Sequence, residues 1–347
     1  AYRVDVTRPI DVIEEILRIY GLNTVEIPQK WNLSLSPNKA QRTDYNKEAC
    51  AEFLVGRGFF EVMNNSLTKK HYSTYLDASF GAAIGLLNPL SQDLGIMRQS
   101  LVFGLLENLA YNQNRQQTDL QFFEFAQDYQ LHNEMRQETQ RLALALMGKQ
   151  SPVNWNNTAA VDHDIYSLKK EVYAVLERLG LSSNLKEYSA QHLLFEQGVG
   201  IERAGKTLVE FGQISVLLQQ EFDLKQNVYY AQFDWTALAS QGQQERIRYQ
   251  EVPKTFAVRR DLSLLLDINT TYQELLQSAR GAETKLLQNI ELFDVYEGKN
   301  LPEGKKSYAL AFYLQDKQQT LSETQIEKAM QRIIKALETD CAAQLRN

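Results

Sequence analysis

Residues 306–314, "KSYALAFYL", have the two-residue period of a strand with one buried face. Bulky side chains alternate with smaller or more polar ones: Tyr308, Leu310, Phe312 and Leu314 against Ser307, Ala309, Ala311 and Tyr313. Successive side chains in a strand point to opposite faces. The bulky set is therefore predicted to pack against helices, and the other set to lie on the opposite face of the sheet.

The elements around this strand complete a recognisable order. Strands are predicted at "DLSLLLD" (261–267), "LLQNIELFDVY" (286–296) and "AAQLR" (342–346), and helices at "YQELLQSAR" (272–280) and "SETQIEKAMQRIIKALE" (322–338), the last behind a Thr320–Glu323 capping box. The order is βαββαβ, the ferredoxin-like split motif.

The middle of the chain reads as a mixed α/β domain with a mostly antiparallel sheet. A helix capped by Thr43 and ending at Gly56 precedes a strand "FFEVMNNS" (59–66), and a second helix covers residues 164–180. Further strands are predicted at 120–131, 207–217 and 228–235. Proline-containing residues 21–41 are predicted to form a linker, with a boundary near 35–40.

Length and composition bound the class of protein. A chain of 347 residues with 44% apolar content is expected to hold two or three globular domains. No apolar run approaches the roughly 18 residues that span a bilayer, and no signal peptide opens the sequence, so a cytoplasmic location is expected. The chain is also expected to be a piece of a longer one. Cys50 and Cys341 have neither disulfide nor zinc spacing.

Four carboxylates stand close together in "RVDVTRPIDVIEE" (3–15): Asp5, Asp11, Glu14 and Glu15. The following apolar spacing predicts a helix over residues 11–20, on which three of these acids share one side. One interpretation is a capped helix start, with Asp11 as N-cap and Glu14 completing a capping box. The other is an oxygen-ligand site for Mg²⁺ or Ca²⁺. The residues alone favour the capped helix.

Three stretches together resemble one family. In the order "RVDVTRPIDVIEEILRIYG" (3–21), "NWNNTAAVDHDIYSLKKEVYAVLERLG" (154–180) and "VPKTFAVRRDLSLLLD" (252–267) with its continuation to Met330, the chain is similar to the C-terminal half of the β subunit of bacterial phenylalanyl-tRNA synthetases. The resemblance covers essentially the whole chain.

The resemblance implies an α+β, multidomain organisation. Residues 1–37 would end a small winged-helix-like domain plus linker, residues 38–245 a catalytically silent class II synthetase-like domain with an antiparallel sheet, and residues 246–347 a ferredoxin-fold anticodon-binding domain. It also implies a catalytic α subunit as partner in an α2/β2 assembly, tRNA(Phe) as substrate, ATP used on the α subunit, and Mg²⁺ as cofactor at Asp5, Asp11, Glu14 and Glu15. With the resemblance, the metal interpretation is preferred to the capped helix.

No catalytic residue is expected in this chain. "GVGIER" (198–203) resembles the glycine-rich third motif of class II synthetases, but the "AGKTLVEFG" that follows predicts a β-hairpin at Arg203 rather than a helix start. The strand "LQFFEFAQDYQ" carries Glu124 and Asp128 and no basic residue, whereas triphosphate chemistry needs cations.

A basic run leads into the βαββαβ unit. It contains Arg246, Arg248, Lys254, Arg259 and Arg260 against one acid, Glu251. Such cations can neutralise phosphates, and arginine also stacks on unpaired bases. The residues alone favour a solvated charge run in which an arginine pairs with Asp261, whereas the resemblance implies that Arg248, Lys254, Arg259 and Arg260 bind RNA. Two other functions stay open: a stand-alone RNA-binding synthetase relative without ligase activity, and a magnesium-dependent hydrolase.

Overall fold

The computed structural model describes residues 3–30, 41–242, 249, 251–298 and 301–346. It divides into two compact units, Ala1–Ile247 and Arg248–Asn347. The boundaries expected near residues 35–40 and between residues 245 and 246 fall outside the described residues. None of the helices in the described ranges is long and apolar enough to cross a membrane.

The first unit contains eleven strands within its described residues. Their bounds are β1 Phe60–Glu61, β2 Leu67–Thr68, β3 Ile96–Met97, β4 Leu120–His132, β5 Met135–Met147, β6 Lys149–Ser151, β7 Val161–Asp162, β8 Lys186–Ala190, β9 Phe195–Arg203, β10 Lys206–Ile214 and β11 Val228–Asp234. Seven of them form one sheet in the order β1-β4-β5-β11-β10-β9-β8, antiparallel except for the β1–β4 pair. The mostly antiparallel sheet expected from the sequence is confirmed.

Helices cover both faces of this sheet. Their bounds are α1 Pro9–Tyr20, α2 Gln41–Gly56, α3 Val102–Gln113, α4 Ile165–Arg178, α5 Val216–Glu221 and α6 Trp235–Gly242, with short 3-10 helices at Leu22–Thr24, Lys70–Tyr75, Ala78–Phe80 and Gln92–Leu94. One core joins the sheet to α2, α4 and α6, and a second core joins it to α3 and α5. Neighbouring residues of one strand enter different cores: Phe123 belongs to the first and Phe122 to the second.

The second unit has the predicted βαββαβ order. Its elements are β12 Val258–Asp267, α7 Tyr272–Ala282, β13 Leu287–Tyr296, β14 Lys305–Leu314, α8 Glu323–Cys341 and β15 Gln344–Leu345. The antiparallel sheet runs β13-β14-β12-β15. Leu310, Phe312 and Leu314 of β14 are buried in the same core as Ile326 and Ile333 of α8, which confirms the alternation of residues 306–314.

Several helices begin at residues other than those predicted from the sequence, because neighbouring side chains can each cap the same helix start. Helix α1 begins at Pro9 behind Arg8, and Asp11 closes the capping box from the third helical position, so Asp11 is not the N-cap. Helix α8 is capped by Ser322 with Gln325, and not by Thr320 with Glu323. Thr43 lies inside α2, which begins at Gln41. Only Phe60–Glu61 of the predicted strand 59–66 pairs as a strand.

Candidate functional site

One face of the small sheet is not covered by helices, and we call it the trough. Ala309 and Ala311 of the central strand β14 lie on this face, because Leu310 and Phe312 point to the opposite, helix-covered face, but Ala311 is covered by its neighbours and has no exposed surface. In register across the sheet, Arg259 of β12 and Asn289 of β13 both lie beside Tyr313. Larger side chains therefore flank a narrow line of alanines.

Aromatic rings and arginines meet at the rim of this trough. The Arg259 guanidinium lies 5.1 Å from the centroid of the Phe293 ring, and Arg346 lies 5.8 Å from that of Tyr296. Phe293 is 52% exposed. Arginine planes and exposed rings are the groups on which proteins stack unpaired RNA bases. The sequence prediction includes Arg259 but not Phe293, Tyr296 or Arg346. Strand alternation could not have placed Phe293 and Tyr296 on one face, because β13 has a register shift between Leu292 and Asp294.

The four cations predicted to bind RNA do not form one cluster. Arg259 donates two hydrogen bonds to Asp261 on the open face, through Nε at 2.7 Å and Nη2 at 3.1 Å. Arg260, the next residue, instead donates to Glu323 at the start of α8. Lys254 is exposed, with Glu251 at 3.7 Å, and Arg248 lies outside the described residues. Arg259 and Arg260 thus serve opposite faces of one strand.

Both acids of β4 are neutralised from within the first unit. Glu124 is 1% exposed and accepts hydrogen bonds from Arg98 Nη1 at 2.9 Å, from the Asn64 backbone N–H at 3.0 Å and from Asn64 Nδ2 at 2.8 Å. The Arg98–Glu124 pair lines a cleft of about 420 Å³ whose walls include Phe125 and Trp235. The cleft lies at β4, the strand whose lack of basic residues argues in the sequence against ATP binding.

The second acid of β4, Asp128, is fully buried and pairs with Arg141 of β5. Arg141 Nε donates to Asp128 Oδ2 at 2.6 Å, while Asp128 Oδ1 has no hydrogen-bond partner in the described structure. Burial raises the pKa of Asp128, and the adjacent guanidinium opposes that rise. Arg98 and Arg141 are therefore held by carboxylates of the protein itself.

Arg203 ends β9 and enters a tight hairpin. It is in register with Lys206 of β10, and the two turn residues between them, Ala204 and Gly205, have φ of 51° and 73°. Positive φ at both central residues is typical of the hairpin turn that matches strand twist. The hairpin predicted for "GVGIER" is confirmed, so Arg203 is not at a helix start.

His192 fastens the 3-10 segment to the sheet. Its Nδ1 lies 2.9 Å from Asp77, just before the 3-10 helix Ala78–Phe80, and its Nε2 lies 3.1 Å from Glu210 of β10. Tyr188 also donates to Glu210, at 2.8 Å. The hydrogen bond to Glu210, followed by that to Asp77, raises the pKa of His192 to about 9, although burial opposes the shift.

The acids of the N-terminal segment are occupied by arginines. The Arg3 guanidinium bridges Asp5, at 2.6 Å, and Glu15, at 3.5 Å. Asp11 accepts from the backbone N–H groups of Thr7 and Arg8 and from the Arg8 side chain. Across the described ranges, no three His, Cys, Asp or Glu side chains are close enough together to hold a metal ion. Carboxylate oxygens are the ligands that Mg²⁺ prefers, but Arg3 lies between Asp5 and Glu15, and Asp11 is engaged at the start of α1, so these acids do not surround one ion position.

The helix-covered antiparallel sheet and the βαββαβ unit match two domain families of the aminoacyl-tRNA synthetase class. Residues 253–346 match the family model "Ferredoxin-fold anticodon binding domain", and residues 11–235 match "Phenylalanyl tRNA synthetase beta chain CLM domain". The chain belongs to the phenylalanyl-tRNA synthetase β-chain family.

Curated relatives agree with this assignment. The chain is 43% identical to the phenylalanine–tRNA ligase beta subunit of Bacteroides thetaiotaomicron over 99% of this chain and 44% of the relative. Identity is 40% to the corresponding subunit of Porphyromonas gingivalis, with the same shares covered, and 32% to that of Vibrio cholerae, over 100% of this chain and 43% of the relative. The chain spans less than half the length of these relatives.

His192 predicts a loss of stability at alkaline pH. A raised folded-state pKa stabilises the fold fully below the unfolded value of 6.5, and the stabilisation disappears as pH rises through about 9. Because the side chain is only 15% exposed, the effect is on the order of 3 kcal/mol. Melting temperatures of the wild-type chain should fall between pH 6.5 and 9.5 more steeply than those of His192→Gln. Parallel curves would contradict the prediction.

Proposed function

We propose that this chain is the part of a phenylalanine–tRNA ligase β subunit that supports the catalytic α subunit and binds tRNA(Phe). The observation that carries the proposal is a synthetase-like sheet whose arginines are bound to its own carboxylates, in one chain with an anticodon-binding fold that has an open aromatic and basic face. The ligase reaction, in which phenylalanine, ATP and tRNA give phenylalanyl-tRNA, AMP and pyrophosphate, belongs to a cytoplasmic α2/β2 assembly, with ATP on the α subunit.

The surface proposed for the α subunit is the end of α2 and the adjoining strand β1. Val55 of α2 is 57% exposed and Phe60 of β1 is 69% exposed, whereas Phe59 is buried in the core. Exposed aromatic and aliphatic residues beside buried ones are typical of a surface that a partner covers. This surface belongs to α2 and β1, whereas the open face of the second unit belongs to β12, β13 and β14. In this proposal the α subunit and the RNA therefore bind different elements.

The isolated chain is expected to be unable to activate phenylalanine. Arg98 and Arg141 are bound to Glu124 and Asp128, and Arg203 is in a hairpin, so none of these three arginines is positioned for a triphosphate. Pyrophosphate exchange with phenylalanine and ATP should be at background, both for the wild-type chain and for Arg203→Ala. Exchange that disappears in Arg203→Ala would show that Arg203 binds ATP.

For RNA, we propose that the trough of the small sheet stacks anticodon bases while Lys254 and Arg259 contact phosphates. Phe293 is 52% exposed and the Arg259 guanidinium lies 5.1 Å from its ring centroid, so this face offers a ring and a guanidinium on which a base can stack. Arg260 has a structural role in this arrangement, because it holds the start of α8 through Glu323. Arg248, beyond the described residues, stays a predicted phosphate contact.

Binding of tRNA(Phe) across a salt series separates these roles. Lys254→Ala should weaken binding for every RNA, because a phosphate contact is lost. It should also reduce the slope of log affinity against log salt concentration by about one. Phe293→Ala should cost about 1–3 kcal/mol for the native anticodon loop and little for a duplex, because base stacking is lost. Lys328→Ala, on the exposed side of α8, is the matched control and should change nothing. Equal losses in all three variants would reject the trough as the RNA site.

We further propose that Mg²⁺ binds the N-terminal acids by replacing the Arg3 guanidinium between Asp5 and Glu15. Mg²⁺ keeps several waters and needs few carboxylates, so Asp11 and Glu14 complete the site without all four acids having to touch the ion. When bound, the ion neutralises the clustered negative charge at the start of α1. This role is structural and contributes no step to the ligase reaction.

Competition between Arg3 and Mg²⁺ gives the test. Arg3→Gln should bind Mg²⁺ more tightly than the wild type in calorimetry, because the competing cation is gone, whereas Asp11→Asn with Glu15→Gln should bind it more weakly. Arg18→Gln, at the other side of Glu15, is the control for charge alone. Mg²⁺ affinity that is unchanged in the Asp11/Glu15 variant would leave these acids only as helix caps.

A further inference from the structure

A polar cleft lies on the first unit between the end of α2 and the start of α4. It has a volume of about 330 Å³, and the residues that line it include His163, Lys170, Gln121 and Gln150. We infer that this cleft binds inorganic phosphate in a protonated form, whose P–OH group donates a hydrogen bond to His163. The inference does not depend on the proposed tRNA and α-subunit functions, since it uses only residues of this unit.

His163 has one ring nitrogen without a partner. The residue is 7% exposed, and its Nε2 atom is buried and makes no hydrogen bond in the described structure. Buried polar atoms in proteins are normally hydrogen-bonded, because an unsatisfied one is destabilising. Since His163 lines the cleft, a ligand there can supply the missing partner.

The hydrogen bonds around Ser167 determine which ring nitrogen carries the proton. The Ser167 hydroxyl donates its only hydrogen to the Asp164 carbonyl at 2.7 Å and accepts from the Asp164 N–H at 2.9 Å. His163 Nδ1, 3.2 Å from the same oxygen, is therefore a donor. Burial lowers the pKa of His163, so the ring is neutral at pH 7.5 and Nε2 is left as an acceptor. The ligand must bring an N–H or O–H group to this atom.

The rest of the cleft offers donors and positive charge. Lys170 is exposed and forms no ion pair with a described residue, and the amides of Gln121 and Gln150 make no side-chain hydrogen bond within the described chain. Glu171 also lines the cleft, but both of its oxygens accept from Arg57. An anion that carries at least one O–H group therefore suits both ends of the cleft.

Inorganic phosphate meets both requirements. At neutral pH it is negatively charged and keeps at least one P–OH, and its other three oxygens can accept from Lys170, Gln121 and Gln150. Sulfate is fully deprotonated, and a phosphate monoester, with a second pKa of about 6, has mostly lost its P–OH at pH 7.5. A site that presents an acceptor discriminates against an analogue without the matching donor, because two acceptors then face each other.

The test compares sodium phosphate, sodium sulfate and methyl phosphate as probes of the 347-residue wild-type chain, by calorimetry at pH 7.5 and matched ionic strength. Phosphate should bind at least about tenfold more tightly than either of the other anions. Phosphate, and not sulfate, should also shift the Nε2 resonance of His163 in nitrogen NMR. Absence of phosphate binding at millimolar concentrations, or equal affinity for either other anion, would overturn the inference and leave an ordered water as the partner of Nε2.

Lys170→Met then tests the location of the site. Because Lys170 is exposed and has no ion pair to lose, the melting temperature should stay unchanged while phosphate affinity falls about tenfold. Lys225→Met removes the same charge at an exposed position outside the cleft, and this control should bind phosphate like the wild type. Equal phosphate affinity in the two variants would place the ligand elsewhere and reject this cleft.

Discussion

The pairing of β4 with β5 is the constraint on which the first unit depends. These two strands pair in register from Leu120 with Met147 to His132 with Met135, at the centre of a sheet that is covered on both faces. A shift of one residue would exchange every side chain between the two cores. It would also bring Glu124 and Asp128, now paired with Arg98 and Arg141, against an apolar layer, where an unpaired charge is strongly destabilising.

A change of register would therefore separate these buried ion pairs, which also occupy Arg98 and Arg141. An arginine that compensates a carboxylate inside the protein is not available to a phosphate. The same hydrogen bonds that make Glu124 acceptable at 1% exposure remove the cation that nucleotide chemistry requires. The structural requirement and the expected lack of catalysis follow from one pair of side chains.

Much of the fold could be predicted from the sequence because the hydrophobic periods of its strands and helices are long and uninterrupted. The alternation in residues 306–314 and the apolar stripe of α8 each extend over several turns or residue pairs, and both are present as expected. Caps were less predictable, since neighbouring candidates such as Thr320 and Ser322 differ by small local energies. The bridge of His192 to Asp77 and Glu210 had no signal in the sequence, because only the fold brings these three residues together.

Arg259 and Arg260 carry a consequence for how this family can change. These adjacent residues of one strand have different partners: Arg259 pairs with Asp261 on the open face, and Arg260 holds the start of α8 through Glu323. Replacing Arg259 leaves the Arg260–Glu323 contact in place, whereas replacing Arg260 removes it. The open face of β12 can therefore change at Arg259 independently of the contact that holds the helix start.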